Sequence, residues 1–153
     1  MTLPVAPPTR PTGPRGHVDE HHFYNSEGAV LRLQCFVIVR NKDRRLACLR
    51  LEGYDGWMLP GETVRKNESP AECAKRIVDT WFATPVTPRV VGFQNYPDDG
   101  DKRWYVIIVF EADEPAGGLK GTPDTLEIAW VPAGKPPGAF AMSHADVFSR
   151  LPP

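Results

Sequence analysis

A chain of 153 residues is long enough for one compact domain with a buried core, and its 41% apolar and 24% charged residues are those of an ordinary globular protein. Its net charge of −1 supplies no field that would recruit nucleic acid or an anionic membrane. No apolar run reaches the length of a membrane span, the N-terminus lacks the apolar stretch of a signal peptide, and Cys35, Cys48 and Cys73 form no C-x-x-C pair, so they read as buried, reduced thiols of a cytoplasmic protein.

Residues 1–16, MTLPVAPPTRPTGPRG, hold five of the seventeen prolines and almost no large apolar side chain. Such a segment buries too little surface to offset the cost of ordering it, and a flexible Pro-rich tail is expected ahead of a single domain over 17–153. In HVDEHH the side chains of His17, Asp19, Glu20, His21 and His22 read as a solvated lead-in rather than a metal site, because nothing fixes their geometry. From Ala29, AVLRLQCFVIVRN reads as a long strand, NKDRR as a turn and RLACLRLEG as a returning strand. YDGWMLPGE is a short extended piece that ends at Pro60-Gly61, and a helix follows. TPRVVGFQNYP and RWYVIIVFEAD are two strands joined across PDDGDK, where Asp99-Gly100 is a hairpin signal. A Gly/Pro-rich loop leads to a short strand, LEIAWVP, and SHADVFSRL is a final short helix with Ser143 as its N-cap. Strands, one central helix, more strands and a terminal helix imply a mixed sheet flanked by helices, an α+β arrangement within the broad α/β class.

The central helix has a well-marked start. Ser69 is placed to cap it, Pro70 suits the first helical position, and Glu72 closes a capping box. Glu68, Glu72, Arg76 and Asp79 fall near one line, as a solvated ion-pair face would. Cys73, Ala74, Val78 and Phe82 form the stripe expected to pack on a sheet, and Ile77 and Trp81 extend it into what would otherwise be a polar flank.

With these residues in place, the segment WMLPGETVRKNESPAECAKRIVDTWF resembles the Nudix (MutT-like) hydrolase family, whose box is G-x5-E-x7-R-E-U-x-E-E-x-G-U, with U a bulky apolar residue. Glu68 and Arg76 have seven residues between them as the box requires, and Val78 takes the apolar place two beyond Arg76. WMLPGE is similar to the family's Trp-x-Leu-Pro-Gly-Gly lead-in, and EIAWVP to its late Glu-x-x-Trp strand. The resemblance covers about residues 29–151 and implies an α/β/α sandwich around a mixed sheet. It also implies that Glu68 and Arg76 pair and brace the loop against the helix. The ligand would lie over the sheet beside that helix, with Arg50, Tyr54, Arg103 and Trp104 as candidate binding residues. Arg32 and Trp57 are weaker candidates.

The departures lie in the box. Its first Gly is Glu62, its three later glutamates are Ile77, Thr80 and Trp81, its second Gly is Ala83, and its last apolar place is Thr84. The family's reaction is attack of water on a diphosphate linked to another moiety, assisted by Mg²⁺, a hard octahedral ion that wants carboxylate oxygens, waters and phosphates. Ile and Trp offer no oxygen and Thr only a neutral one, so a metal cluster on this helix is not expected. Three readings stay open. In the first, the protein has lost Mg²⁺-dependent hydrolysis and binds a nucleotide or another phosphate-containing molecule. In the second it is a divergent hydrolase, with Glu68 and Glu127 as catalytic candidates and Mg²⁺ held by Glu62, Glu68 and Glu127. In the third, an exposed edge at Ile77 and Trp81 forms an interface with a protein partner or with a second copy.

Overall fold

In the computed structural model, residues 22–24, 30–98 and 103–153 are described. The expected tail, His17 to His21 of the His-rich lead-in and the Asp99-Gly100 turn lie outside them. The elements run β1 (His22–Tyr24), β2 (Val30–Arg40), β3 (Leu46–Leu51), β4 (Trp57–Met58), β5 (Gly61–Thr63), α1 (Pro70–Trp81), β6 (Arg89–Asp98), β7 (Arg103–Asp113), β8 (Thr125–Val131) and α2 (His144–Ser149). β1 is a strand the sequence reading did not separate from the lead-in.

The strands form one mixed sheet in the order β4-β3-β2-β7-β6, with β1 and β5 also paired to β2 and β8 to β3. β2 and β7 run parallel in unbroken register from Val30↔Arg103 to Arg40↔Asp113. The expected hairpin of β6 and β7 is present, antiparallel from Asp98↔Arg103 onward. The expected return of β3 along β2 is not: the two meet only at Arg40↔Leu46, and β3 pairs through its length with β8. β5 takes the vacated edge of β2 at Gln34–Phe36 and thereby fixes the loop before α1 against the sheet centre.

Strand alternation sends side chains to two layers. Cys35, Val37, Val39, Ala47, Leu49 and Phe110 pack with Cys73, Ile77 and Trp81 of α1, whereas Phe36, Ile38, Leu46, Cys48, Ile107 and Val109 pack with Val147 and Phe148 of α2. Helix, sheet and helix therefore stack as the α/β/α sandwich with a mixed sheet that the sequence implied.

Arg40 and Glu111, buried between β2 and β7, pair at 3.1 Å, and Arg40 also donates to the carbonyls of Arg44 and Pro152. Ser143 precedes α2 but makes no side-chain cap bond, contrary to expectation. The anchor there is His144, whose Nδ1 accepts the Leu59 amide at 2.9 Å beneath an edge-on Phe36 ring. Burial pulls the His144 imidazole down to about 4.

Candidate functional site

The start of α1 is fixed by its own sequence. Ser69 Oγ accepts the Glu72 amide at 3.1 Å and Glu72 Oε2 accepts the Ser69 amide at 2.7 Å, a closed capping box worth about 1 kcal/mol. That register turns Arg76 back over the preceding loop. Arg76 Nε donates to Glu68 Oε2 at 2.8 Å, and Nη2 donates to Glu68 Oε1 and to the Thr63 carbonyl at 3.0 Å each. The Arg65 amide donates to Glu68 Oε1 at 2.9 Å. Strand β5, the loop and the helix are thus joined through one guanidinium and one carboxylate, both largely buried. Burial alone would raise the Glu68 carboxyl, but the hydrogen bonds from Arg76 and the Arg65 amide, with the Arg76 charge, hold it below the usual range.

Glu68 precedes the helix and Glu72 serves its cap, so the expected ion-pair line is broken up; Asp79 pairs with Lys75 instead of Arg76. Under the brace lie two thiols. Cys73 Sγ approaches the Glu62 carbonyl at 3.9 Å and Arg76 Nη2 at 3.6 Å, and its hydrogen bond with Cys35, together with burial, holds it strongly protonated.

The three altered box positions divide. Ile77 is 0% and Trp81 1% exposed, both inside the α1-side core, which removes the expected exposed interface at these residues. Trp81 Nε1 donates to Glu62 Oε1 at 3.1 Å, so Glu62 is tied to the indole that stands at a family carboxylate position. Thr80 is exposed, and its Oγ1 donates to the Arg76 carbonyl one turn back.

The remaining candidates fall on both faces of the sheet. Arg50 and Glu127 are cross-strand partners, 3.4 Å apart and about half exposed, with the Arg50 guanidinium 5.9 Å from the Trp57 ring. They share the register of Cys48↔Ala129, which belongs to the α2 side. Glu62 shares the register of Cys35, on the α1 side. Tyr54 is half-buried against the α1-side core. Trp104, in step with Ile108 and Phe110, stands on the α1 side and is 44% exposed; the Arg103 side chain lies outside the description. Trp57 packs its indole against Gly138, and its backbone bonds those of Ala139 and Ala141.

The structure therefore brings together Glu68 with Arg76, Glu62 with Trp81, and Arg50 with Glu127 and Trp57. It does not bring Glu62, Glu68 and Glu127 to one point. Among the described residues, no three His, Cys, Asp or Glu groups are placed to share a metal ion. Sequence reasoning missed the Glu62–Trp81 bond, the Cys35–Cys73 contact and the Arg65 amide. Only the last carried a local signal, since a carboxylate three residues after an amide can close a turn on it.

A family model described as the NUDIX domain matches residues 30–151. Solved structures share the fold at low identity. A MutT protein from Methanosarcina mazei Go1 is 21% identical over 78% of this chain and 91% of that one, with a TM-score of 0.59. A MutT NUDIX hydrolase from Burkholderia pseudomallei is 16% identical over 80% and 98%, with a TM-score of 0.60. The NUDIX domain of Shewanella oneidensis NrtR, solved as a complex with ADP ribose, is 14% identical over 82% and 90%, with a TM-score of 0.56. No curated protein matches. No helix among the described residues is long and apolar enough to cross a membrane.

Proposed function

The chain belongs to the Nudix family, and we propose that it binds a nucleotide or a related phosphate-containing small molecule without the family's Mg²⁺-dependent cleavage. One observation carries the reading: where the family's box places carboxylates, this chain has the buried Ile77 and Trp81, with Trp81 bonded to Glu62. The donor set does not fit Mg²⁺. Both Glu68 oxygens are taken by Arg76 and the Arg65 amide, one Glu62 oxygen by the indole, and Glu127 stands with Arg50 on the far face of the sheet. An octahedral ion needs several oxygens on one patch. This arrangement supports the binding reading over a divergent hydrolase using Glu62, Glu68 and Glu127.

Without a cation, a phosphate ligand depends on side chains and amides of the chain itself. Trp104, exposed on the α1 side, offers a ring for stacking, and Arg103 precedes it on β7. The Shewanella oneidensis domain, bound to ADP ribose on the same fold, supports a nucleotide-like ligand for this chain. The free, buried cysteines suit a cytoplasmic setting.

The test is calorimetric titration of the purified chain with ADP-ribose, with and without Mg²⁺, followed by product analysis. Binding of similar strength in both conditions, with ADP-ribose recovered intact, is expected. Release of AMP and ribose 5-phosphate at ordinary enzymatic rates in Mg²⁺ would overturn the loss of hydrolysis. Failure of ADP-ribose and inorganic diphosphate alike to bind would overturn the ligand reading.

A further inference from the structure

β6 is the last strand of its sheet, paired on one side with β7 and open on the other among the described residues. Edge strands are usually guarded by charges or short length. This one is ten residues long, and its stretch Val90-Val91-Gly92-Phe93-Gln94 contains no charge. Val90 is 64%, Val91 52% and Phe93 68% exposed, although each is a side chain that strands normally bury. The neighbouring cation, Arg89, is engaged 3.5 Å from both Glu111 and Asp113.

The backbone of β6 also shows which groups the edge offers. Pro97, opposite Trp104, has no N–H for a ladder, and prolines inside sheets sit with that position toward solvent. Pairing is regular from Phe93↔Ile108 to Pro97↔Trp104, so alternation directs the N–H and C=O groups of Phe93 and Asn95 to the open edge as well. The extra residue at Val91, where the register shifts between Val90 and Gly92, lies outside this regular run.

We propose that β6 pairs antiparallel with β6 of a second copy across a two-fold axis at Gln94, joining the two sheets edge to edge. Phe93 of each copy faces Asn95 of the other, and each such pair exchanges two backbone hydrogen bonds. A two-fold contact sets one stretch against itself, so a charged strand would repel itself; residues 91–97, the span centred on Gln94, carry no charge. The exposed parts of Val90, Val91 and Phe93 amount to on the order of 300 Å² per copy, below the roughly 800 Å² per partner of a standard stable interface. The dimer is accordingly a weak, reversible one with a dissociation constant in the micromolar range. Phe93 lies four positions along the hairpin from the Trp104 pair, about 13 Å away, so the contact is separate from the proposed ligand site and does not depend on it.

Sedimentation equilibrium of the full chain across the micromolar range tests the proposal. A monomer–dimer equilibrium is expected, weakened at least about tenfold by Phe93→Lys and by Val91→Lys. Both sites are exposed, so the variants keep the wild-type far-UV circular dichroism, and ADP-ribose affinity is unchanged in each. A full chain that stays monomeric throughout would overturn the proposal, as would a dimer that neither variant weakens. A monomer that dimerises only once residues 1–21 are removed would overturn it too, by assigning the edge to the chain's own leading segment. Loss of ADP-ribose binding in Phe93→Lys, with no dimer in the wild type, would give the face to the ligand instead.

Discussion

Restoring the family carboxylates one at a time separates a filled core from an open site. Ile77 is fully enclosed among Cys35, Val37, Cys73 and their neighbours in the α1-side core. Replacing it by Glu removes a buried side chain worth about 2–3 kcal/mol. The incoming carboxyl has no partner there, so it stays protonated. Keeping a group of ordinary pKa near 4.3 neutral at pH 7 costs a further ~3–4 kcal/mol. Partial rearrangement lets the head reach toward solvent and recovers some of this, leaving an expected loss of about 5 kcal/mol, comparable to the whole margin of many domains. Ile77→Val, which keeps the chemistry, should cost only about 1 kcal/mol. Thr80→Glu, on the exposed side of the helix, should stay within about 1 kcal/mol of wild type.

Urea denaturation followed by tryptophan fluorescence measures all three variants. The penalty on Ile77→Glu should shrink as pH falls from 7 and lose its protonation part below about pH 4, where the carboxyl is neutral in folded and unfolded chains alike. If Ile77→Glu matched wild type at pH 7, and the triple replacement of Ile77, Thr80 and Trp81 by Glu gained Mg²⁺ affinity, these positions would line an accessible site and the argument from burial would fail.

Glu68→Gln leaves Arg76 largely enclosed and without its charge partner, and should cost about 2–3 kcal/mol; a double-mutant cycle with Arg76→Gln in urea should return a coupling above about 1 kcal/mol, whereas additive losses would refute the brace. Because the Glu68 carboxyl is held low in the fold, its contribution is complete above the ordinary carboxylate range and is lost as pH falls below that range through the lowered folded value. Trp81→Phe keeps most of the ring volume but removes the donor to Glu62, so a loss of about 1 kcal/mol in thermal or urea unfolding is expected, and Trp81→Phe with Glu62→Gln should cost little more than Trp81→Phe alone. His144 is buried neutral and titrates near 4 against 6.5 when unfolded, so the unfolded chain binds the extra proton first; stability should hold above pH 6.5 and drop by about 3 kcal/mol as pH falls to 4, a step that His144→Gln abolishes.

Features written locally were legible. The cap of α1 needs only Ser69, Pro70 and Glu72, and the seven-residue interval between Glu68 and Arg76 places a carboxylate and a guanidinium across one loop–helix junction. β2, β6 and β7 announced themselves through β-branched residues. What sequence could not supply was the pairing of segments far apart in the chain. The union of β3 with β8 sets Arg50 beside Glu127 on the α2 side and so divides the candidate binding residues between two faces. The inward face of α1 was ambiguous for a related reason. Cys73, Ala74, Ile77, Val78 and Trp81 cover a wide arc, and only packing against segments distant in the chain decides that Ile77 and Trp81 are enclosed. Ser143 has a capping residue's identity, but His144 anchors that end through the distant Leu59 amide.

The two kinds of position in the box differ in consequence because the box does two separable jobs. Clustered carboxylates repel one another unless a cation lies among them, so a patch built for Mg²⁺ lowers the stability of the metal-free chain. Ile77 and Trp81 remove that repulsion and add buried apolar surface, and the Trp81 indole gives Glu62 a neutral donor where a cation would otherwise compensate its charge. Glu68 and Arg76 carry no such tension, since each is the other's counter-charge and the Arg65 amide and Thr63 carbonyl complete their bonding. A chain released from the need to cleave diphosphate gains stability by exchanging the first group and loses it by exchanging the second. If cleavage is lost as proposed, a brace beside apolar residues at the box's carboxylate positions is the combination that stability favours.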